Sequence, residues 1–566
     1  MTEKVLVNPK SEFSVFVLVP FILYLLIYFA LIFKGVYVRG DDFAYVESVV
    51  QSLASGRLIT HDWLGPFNVF FTLTGVVAYS LTHHFYFSTY GILSIFSMTN
   101  FWLLIVWTHK RFNLIRSSWL ALAIVTFPFY LHKSLDYHGC IPTLTCFLVA
   151  LLCYENKRYG LMFIAIFLAV STRQNSLFLF LLPTYSLCEM ILLKKKMEWR
   201  IGIYMMVCFG ALVLLRFQLG ENWFHHGYHP LGRIMQHPLG IVRQFFVGIF
   251  LGIFFLSINS FFIGDRKALS LFRENLQHYF LPLVFTFIFS LIAFFSPAAL
   301  VWFQTPLIGS LDHTGQLQWG LKILVLISFW FIDRQLLKLS PYLILGIGYV
   351  GISCLLGFFW DYYLSELALI AVWICLRVEP IDTEDKKPSR IFPIVLSVLF
   401  IVNFGYGYLY KVQLDKLILS NLVFEKLERH GRIAPQNMTG ATFGFLGFKL
   451  CGLLAEENPN YEHDDFSCYV QANGVNIQSA LPWKRHLPRL DRDQVTVLDS
   501  GFASIGFLNL PYRVVDFKNP EGLNICHEEF KVNEKTKSHS RPFPLNNNEW
   551  DAFIKKSRED FNMRKN

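Results

Sequence analysis

Charge is scarce in this sequence. Only 16% of its 566 residues are Asp, Glu, Lys or Arg, against roughly 25% in soluble globular proteins. With 54% hydrophobic residues and a mean hydropathy of +0.41, that shortage excludes a disordered chain, a coiled coil and a soluble enzyme with a single core. No Cys-x-x-Cys pair occurs among the 10 cysteines, so neither a zinc site nor a dithiol redox motif is supported. The net charge of +9 is not gathered on one face or tail, which removes nucleic acid as a partner. No small-x-small cleavage site follows the first apolar run, residues 13–33. That run therefore reads as an uncleaved first span. No inverted internal repeat, the usual mark of a transporter, is found.

Long apolar runs are what the sequence has. Fourteen can be read from residue 13 to residue 410, and about 20 residues suffice to cross a bilayer. Aromatics make up 17% of the chain, 58 of them Phe, which fits lipid-facing helices. Basic residues crowd alternate gaps, such as Lys110, Arg111 and Arg116, then Lys194, Lys195, Lys196 and Arg200. This is the positive-inside pattern and puts the amino terminus in the cytoplasm. It works best if residues 67–81 do not cross. That run is short, follows Gly65-Pro66 and is interrupted by Thr72, Thr74 and Gly75. The expected fold is an α-helical multi-pass membrane domain over residues 1–410, with about thirteen spans. Residues 411–566 are polar, with strand-like runs at 495–498 and 513–517. They read as a small soluble α/β domain outside the cytoplasm.

That sidedness collects the distinctive polar residues on the outer face. Asp41 and Asp42 follow the first span, and an amphipathic segment, residues 43–53, follows them. Adjacent carboxylates at a membrane surface raise each other's pKa, which suits a general base; the plain alternative is an Asp that caps a helix. Asp136, Tyr137 and His138 sit between two apolar runs, where an ionisable residue is a functional candidate by default. Arg173 ends another run and offers a bidentate group for phosphate, or else a snorkelling anchor. The loop from Glu221 to Arg243 carries His225, His229 and Arg233. His225 and His229 share helical spacing, but Pro230 follows at once, so a cationic loop over a lipid phosphate is the better reading than zinc, with an ordinary interfacial loop as the plain alternative.

The run Gly40-Asp41-Asp42-Phe43-Ala44-Tyr45, then residues 49–57, then Asp62-Trp63, resembles the first outer loop of GT-C glycosyltransferases. These include protein O-mannosyltransferases and the bacterial aminoarabinose transferases of lipid A. Asp136 stands where the family has an Asp after its third span. Trp360-Asp361-Tyr362-Tyr363 stands where many members carry an Arg-Tyr motif, with Asp361 replacing the Arg. The family's Glu-Lys-Pro-Pro is absent; Gly65-Pro66-Phe67-Asn68 takes its place. The resemblance implies an inverting transfer of a sugar from a polyprenyl-phosphate donor to a lipid, glycan or protein acceptor. It implies Asp42, with Asp41 beside it, as base, Asp136 to position the acceptor and His138 to donate to phosphate; Arg173, Arg233, His225 and His229 are then the candidate phosphate ligands by residue type and place. A divalent cation, Mg or Mn, on Asp42 and Asp136 stays open, because members differ. So does the setting: a bacterial inner membrane with a periplasmic site, or an ER membrane with a lumenal one. The rival reading is a polytopic lipid or sugar transporter.

Overall fold

The computed structural model describes residues 15–32, 42–60, 68–110, 112–194, 198–219, 238–263, 268–295, 316–337, 340–356, 364–378, 475–479, 495–505, 508–517 and 547–563. Nearly all of these are helical. In chain order the helices are α1 (Val15–Ile32), α2 (Asp42–Ser55), α3 (Val69–Thr82), α4 (Ile92–Thr108), α5 (Leu114–Val125) and α6 (Pro128–Leu135). Then come α7 (Cys140–Glu155), α8 (Tyr159–Val170), α9 (Leu181–Leu192), α10 (Trp199–Leu219), α11 (Pro238–Ile263) and α12 (Ala268–Gln277). The last are α13 (Phe280–Phe295), α14 (Gln316–Ser328), α15 (Pro341–Leu356), α16 (Leu364–Val378) and α17 (Asn547–Met563).

Among the described residues, three helical stretches are long and apolar enough to cross a membrane: Phe87–Thr108, Gln174–Leu192 and Pro238–Ser257. The first joins a π-helical turn, Phe87–Gly91, to α4, and the second joins a 3-10 segment, Gln174–Phe180, to α9. Their neighbours are apolar but shorter, and α3 is one of these. Large apolar side chains face outward on several helices; Phe217 is 72% exposed and Phe280 74%. Water would oppose that arrangement, whereas lipid does not. The apolar run at residues 117–132 is not one helix. It breaks between Val125 and Pro128, because a proline inside a helix removes a donor and crowds the carbonyl four residues back, whereas the first position of a helix accepts it. The last expected span, residues 391–410, lies outside the described residues.

The chain divides into two units. The first comprises residues 1–27, 95–131 and 139–403. Its helices approach closely where glycine allows it. A Cβ on Gly248 of α11 would strike Val350 of α15, and one on Gly348 would strike Leu181; close packing over small residues is characteristic of membrane helices. Phe250 is ringed by Phe285, Phe289 and Phe329 at 5.5–6.0 Å between centroids. Trp107 stacks on Trp373 at 4.0 Å, and Trp373 on Tyr342 at 5.6 Å.

The second unit comprises residues 28–94, 132–138 and 404–566. The amphipathic segment after Asp42 is a helix, as its spacing requires. Ala44, Val46, Val49 and Val50 are buried, and α2 packs on α3 and on the C-terminal helix α17. The strands are β1 (Val475–Ser479), β2 (Val495–Ile505) and β3 (Leu508–Phe517), in the order β1-β3-β2, all antiparallel. The strand-like runs at 495–498 and 513–517 are thus the open end of a longer hairpin. Its register slips between Val497 and Asp499, a bulge beside the acidic residue.

Candidate functional site

In the second unit, three pieces of chain distant in sequence meet. Asp42 is the first residue of α2. One turn on, Tyr45 is buried, and its ring lies 4.8 Å from that of His138. The opening of α2 is therefore held against the segment 132–138. Tyr28, near the end of α1, donates its hydroxyl to the Ser134 carbonyl at 2.9 Å and fixes the same segment from a third direction.

Within that segment Lys133, Asp136 and His138 are all buried. The Lys133 ammonium lies 3.5 Å from the Asp136 carboxylate. Two charges in such a place persist only as a pair. Tyr137 turns away from them and packs on Phe71 of α3 at 4.4 Å and on Tyr90 at 5.8 Å. Burial pushes its phenol well above the ordinary value, so the hydroxyl stays protonated. Gly75 of α3 makes the room: a Cβ there would lie 2.6 Å from the Tyr137 hydroxyl and 2.8 Å from Val49. The glycine that interrupts this run in the sequence is thus the contact point of α2, α3 and segment 132–138.

The expected site residues therefore divide. Asp136 and His138 lie together beside α2, and Asp42 opens that helix. Asp41, His225, His229 and Arg233 lie outside the described residues. Arg173 belongs to the first unit, at the turn between α8 and the 3-10 segment. It does not trail into solvent as an anchor would. Its Nη1 donates to Cys140 Sγ at 2.8 Å and lies 3.7 Å from Glu366 Oε1.

Lys133 and Glu366 escaped the sequence reading. Both carried a legible signal: a charge inside an apolar stretch, and for Lys133 an opposite charge three residues on. For the metal alternative the donor set is poor. The Asp136 carboxylate already has an ammonium partner, and among the described residues no group of three or more His, Cys, Asp or Glu side chains could hold an ion.

Comparison of the chain with family models, with curated proteins and with solved structures finds no match. The site has a chemistry of its own. It offers a buried ammonium, an imidazole and a carboxylate, beside a helix that begins with an acid.

Proposed function

We propose that this chain is an inverting glycosyltransferase of GT-C type. It moves a sugar from a polyprenyl-phosphate donor to a lipid, glycan or protein acceptor at the outer face of a membrane domain of about thirteen spans. Asp42, or Asp41 beside it, takes the proton from the acceptor hydroxyl as that oxygen attacks the sugar. Cationic groups stabilise the phosphate as it leaves. Arg173, Arg233, His225 and His229 carry that role in the sequence reading, with His138 beside α2. Asp136, held by Lys133, positions His138 and the acceptor rather than serving as base. The second partner is the bilayer, which delivers the donor lipid.

The observation that carries the reading is the contact of Tyr45 with His138. It supports a site formed by α2 and segment 132–138, the two places where the resemblance puts acids. The test is transfer by purified protein from polyprenyl-phosphate hexoses and pentoses, read by mass spectrometry. Asp42→Asn is nearly isosteric and should lower the rate by roughly 10²–10⁴-fold while leaving the protein folded. If Asp41→Asn and Asp42→Asn both keep full activity, the pair is only a helix start and the proposed mechanism fails.

A further inference from the structure

Arg173 has a partner that the proposed function does not use. Glu366 lies in the first turn of α16, and its side chain is 4% exposed, that of Arg173 10%. At 3.7 Å the two are too far apart for the short bond, roughly 2.7–2.9 Å, that a guanidinium and a carboxylate make when nothing holds them back. Each is held from elsewhere. Arg173 gives one N–H to Cys140 Sγ, and Tyr349 donates to Glu366. The second carboxylate oxygen, Glu366 Oε2, is buried without a hydrogen-bond partner among the described residues, and so are Asn175 Nδ2 and Ser176 Oγ. Those two donors follow Arg173 within three residues. Buried polar atoms left open in a low-dielectric interior are costly. A tight structural ion pair would have closed at least the carboxylate oxygen.

We infer that Glu366 is the resident counter-ion of an anion site built on Arg173. In the empty protein its carboxylate neutralises the guanidinium. A phosphate group entering beside Arg173 displaces it, and Asn175 and Ser176, whose donors are buried without a partner among the described residues, follow in the same 3-10 segment. Glu366 thus competes with the ligand. It offsets the charge of a buried cation between turnovers, at the expense of affinity. The lipid identity of the ligand rests on the glycosyltransferase reading; the competition itself rests only on the charges and their burial.

The experiment measures binding of two probes to the purified full-length protein: a polyprenyl monophosphate without sugar, and inorganic phosphate. Glu366→Gln removes the competing charge and keeps the shape, so affinity should rise about tenfold. Arg173→Ala should lower it by at least as much. Glu366→Asp keeps the charge on a shorter stem and should fall between the wild type and the Gln variant, which separates charge from size. Tightening for the lipid alone identifies a headgroup site; tightening for both identifies a general anion site. Unchanged or weaker binding by the Gln variant, or by the Asp variant if the Gln variant does not fold, overturns the proposal. Tighter anion binding with no sugar transfer by the wild type would remove the glycosyltransferase reading and leave the counter-ion standing. Transfer with no change in affinity would do the reverse.

Discussion

At the scale of single residues, the Lys133–Asp136 pair and Gly75 decide whether the candidate site holds its shape. Truncating one member of a buried ion pair leaves the other charge uncompensated and costs about 3–5 kcal/mol. Lys133→Met should therefore lower the unfolding temperature in detergent markedly, and the double variant Lys133→Met, Asp136→Leu should recover most of the loss. If the single and double variants melt together, the two charges do not compensate each other. At Gly75 the expected effect is steric. Gly75→Ala puts a methyl 2.6 Å from the Tyr137 hydroxyl and 2.8 Å from Val49, so α3 must move away from α2 or Tyr137 must leave its slot. Overpacking of this kind costs about 1–3 kcal/mol. Tyr137→Phe in the same chain opens space at the hydroxyl and should restore part of it. Equal stability of wild type and Gly75→Ala, by thermal unfolding, would show that the contact is not tight.

Among the elements, α17 has the clearest consequence. It lies near the end of a polar region, yet Trp550 is wholly buried. Trp550 stacks on Phe85 at 3.5 Å and meets Tyr86 edge-on at 6.4 Å. Asp551 accepts from the Tyr79 hydroxyl of α3. Arg558 donates to the Leu53 carbonyl at 3.1 Å, in the last turn of α2, where a helix leaves carbonyls without partners and favours a cation. One helix thus clasps both α2 and α3. Trp550→Ala should cost about 3–5 kcal/mol at that clasp. The expected readout is rapid tryptic cleavage after Lys555 or Arg558 in the variant and slow cleavage in the wild type. Cleavage at equal rates would mean that Trp550 does not hold α17 in place. Only part of this was legible. The amphipathic spacing of residues 43–53 announced α2, but its apolar face does not name a partner. Trp550 falls within a charged stretch, and nothing local distinguishes a buried anchor from a surface aromatic.

For the whole molecule, the sidedness derived from basic residues is open to direct measurement. In a cysteine-free background, Phe502→Cys places a thiol on β2 at a position that is 75% exposed. Leu193→Cys places one beside the basic gap 194–200. A membrane-impermeant thiol reagent applied to sealed cells or oriented vesicles should reach the first and not the second. Labelling of Leu193→Cys from outside would invert the topology and move every candidate residue to the opposite face.

Composition and periodicity were enough to fix a helical protein with apolar, lipid-compatible faces, an amphipathic helix after Asp42 and a strand-bearing tail. Each of these follows from local pattern: apolar runs need a nonaqueous surround, and a stripe at helical spacing needs something to cover it. The break at Pro128 was not among them: hydropathy joins residues 117–132 into one run, and α1 continues through Pro20, so a proline alone does not state where a helix divides. Tertiary structure alone decided the pairings. Lys133 was visible as a charge but not as the partner of a buried Asp136, and Tyr45 was one aromatic among many until it met His138, 93 positions away. Glu366 became the counter-ion of Arg173 only when α16 brought it there, and α17 became part of the α2–α3 layer only when its Trp found a slot. A contact between distant residues depends on which surfaces of the chain are left to be covered, and no local pattern states that; the energy that selects it arises only when the whole set of helices is packed.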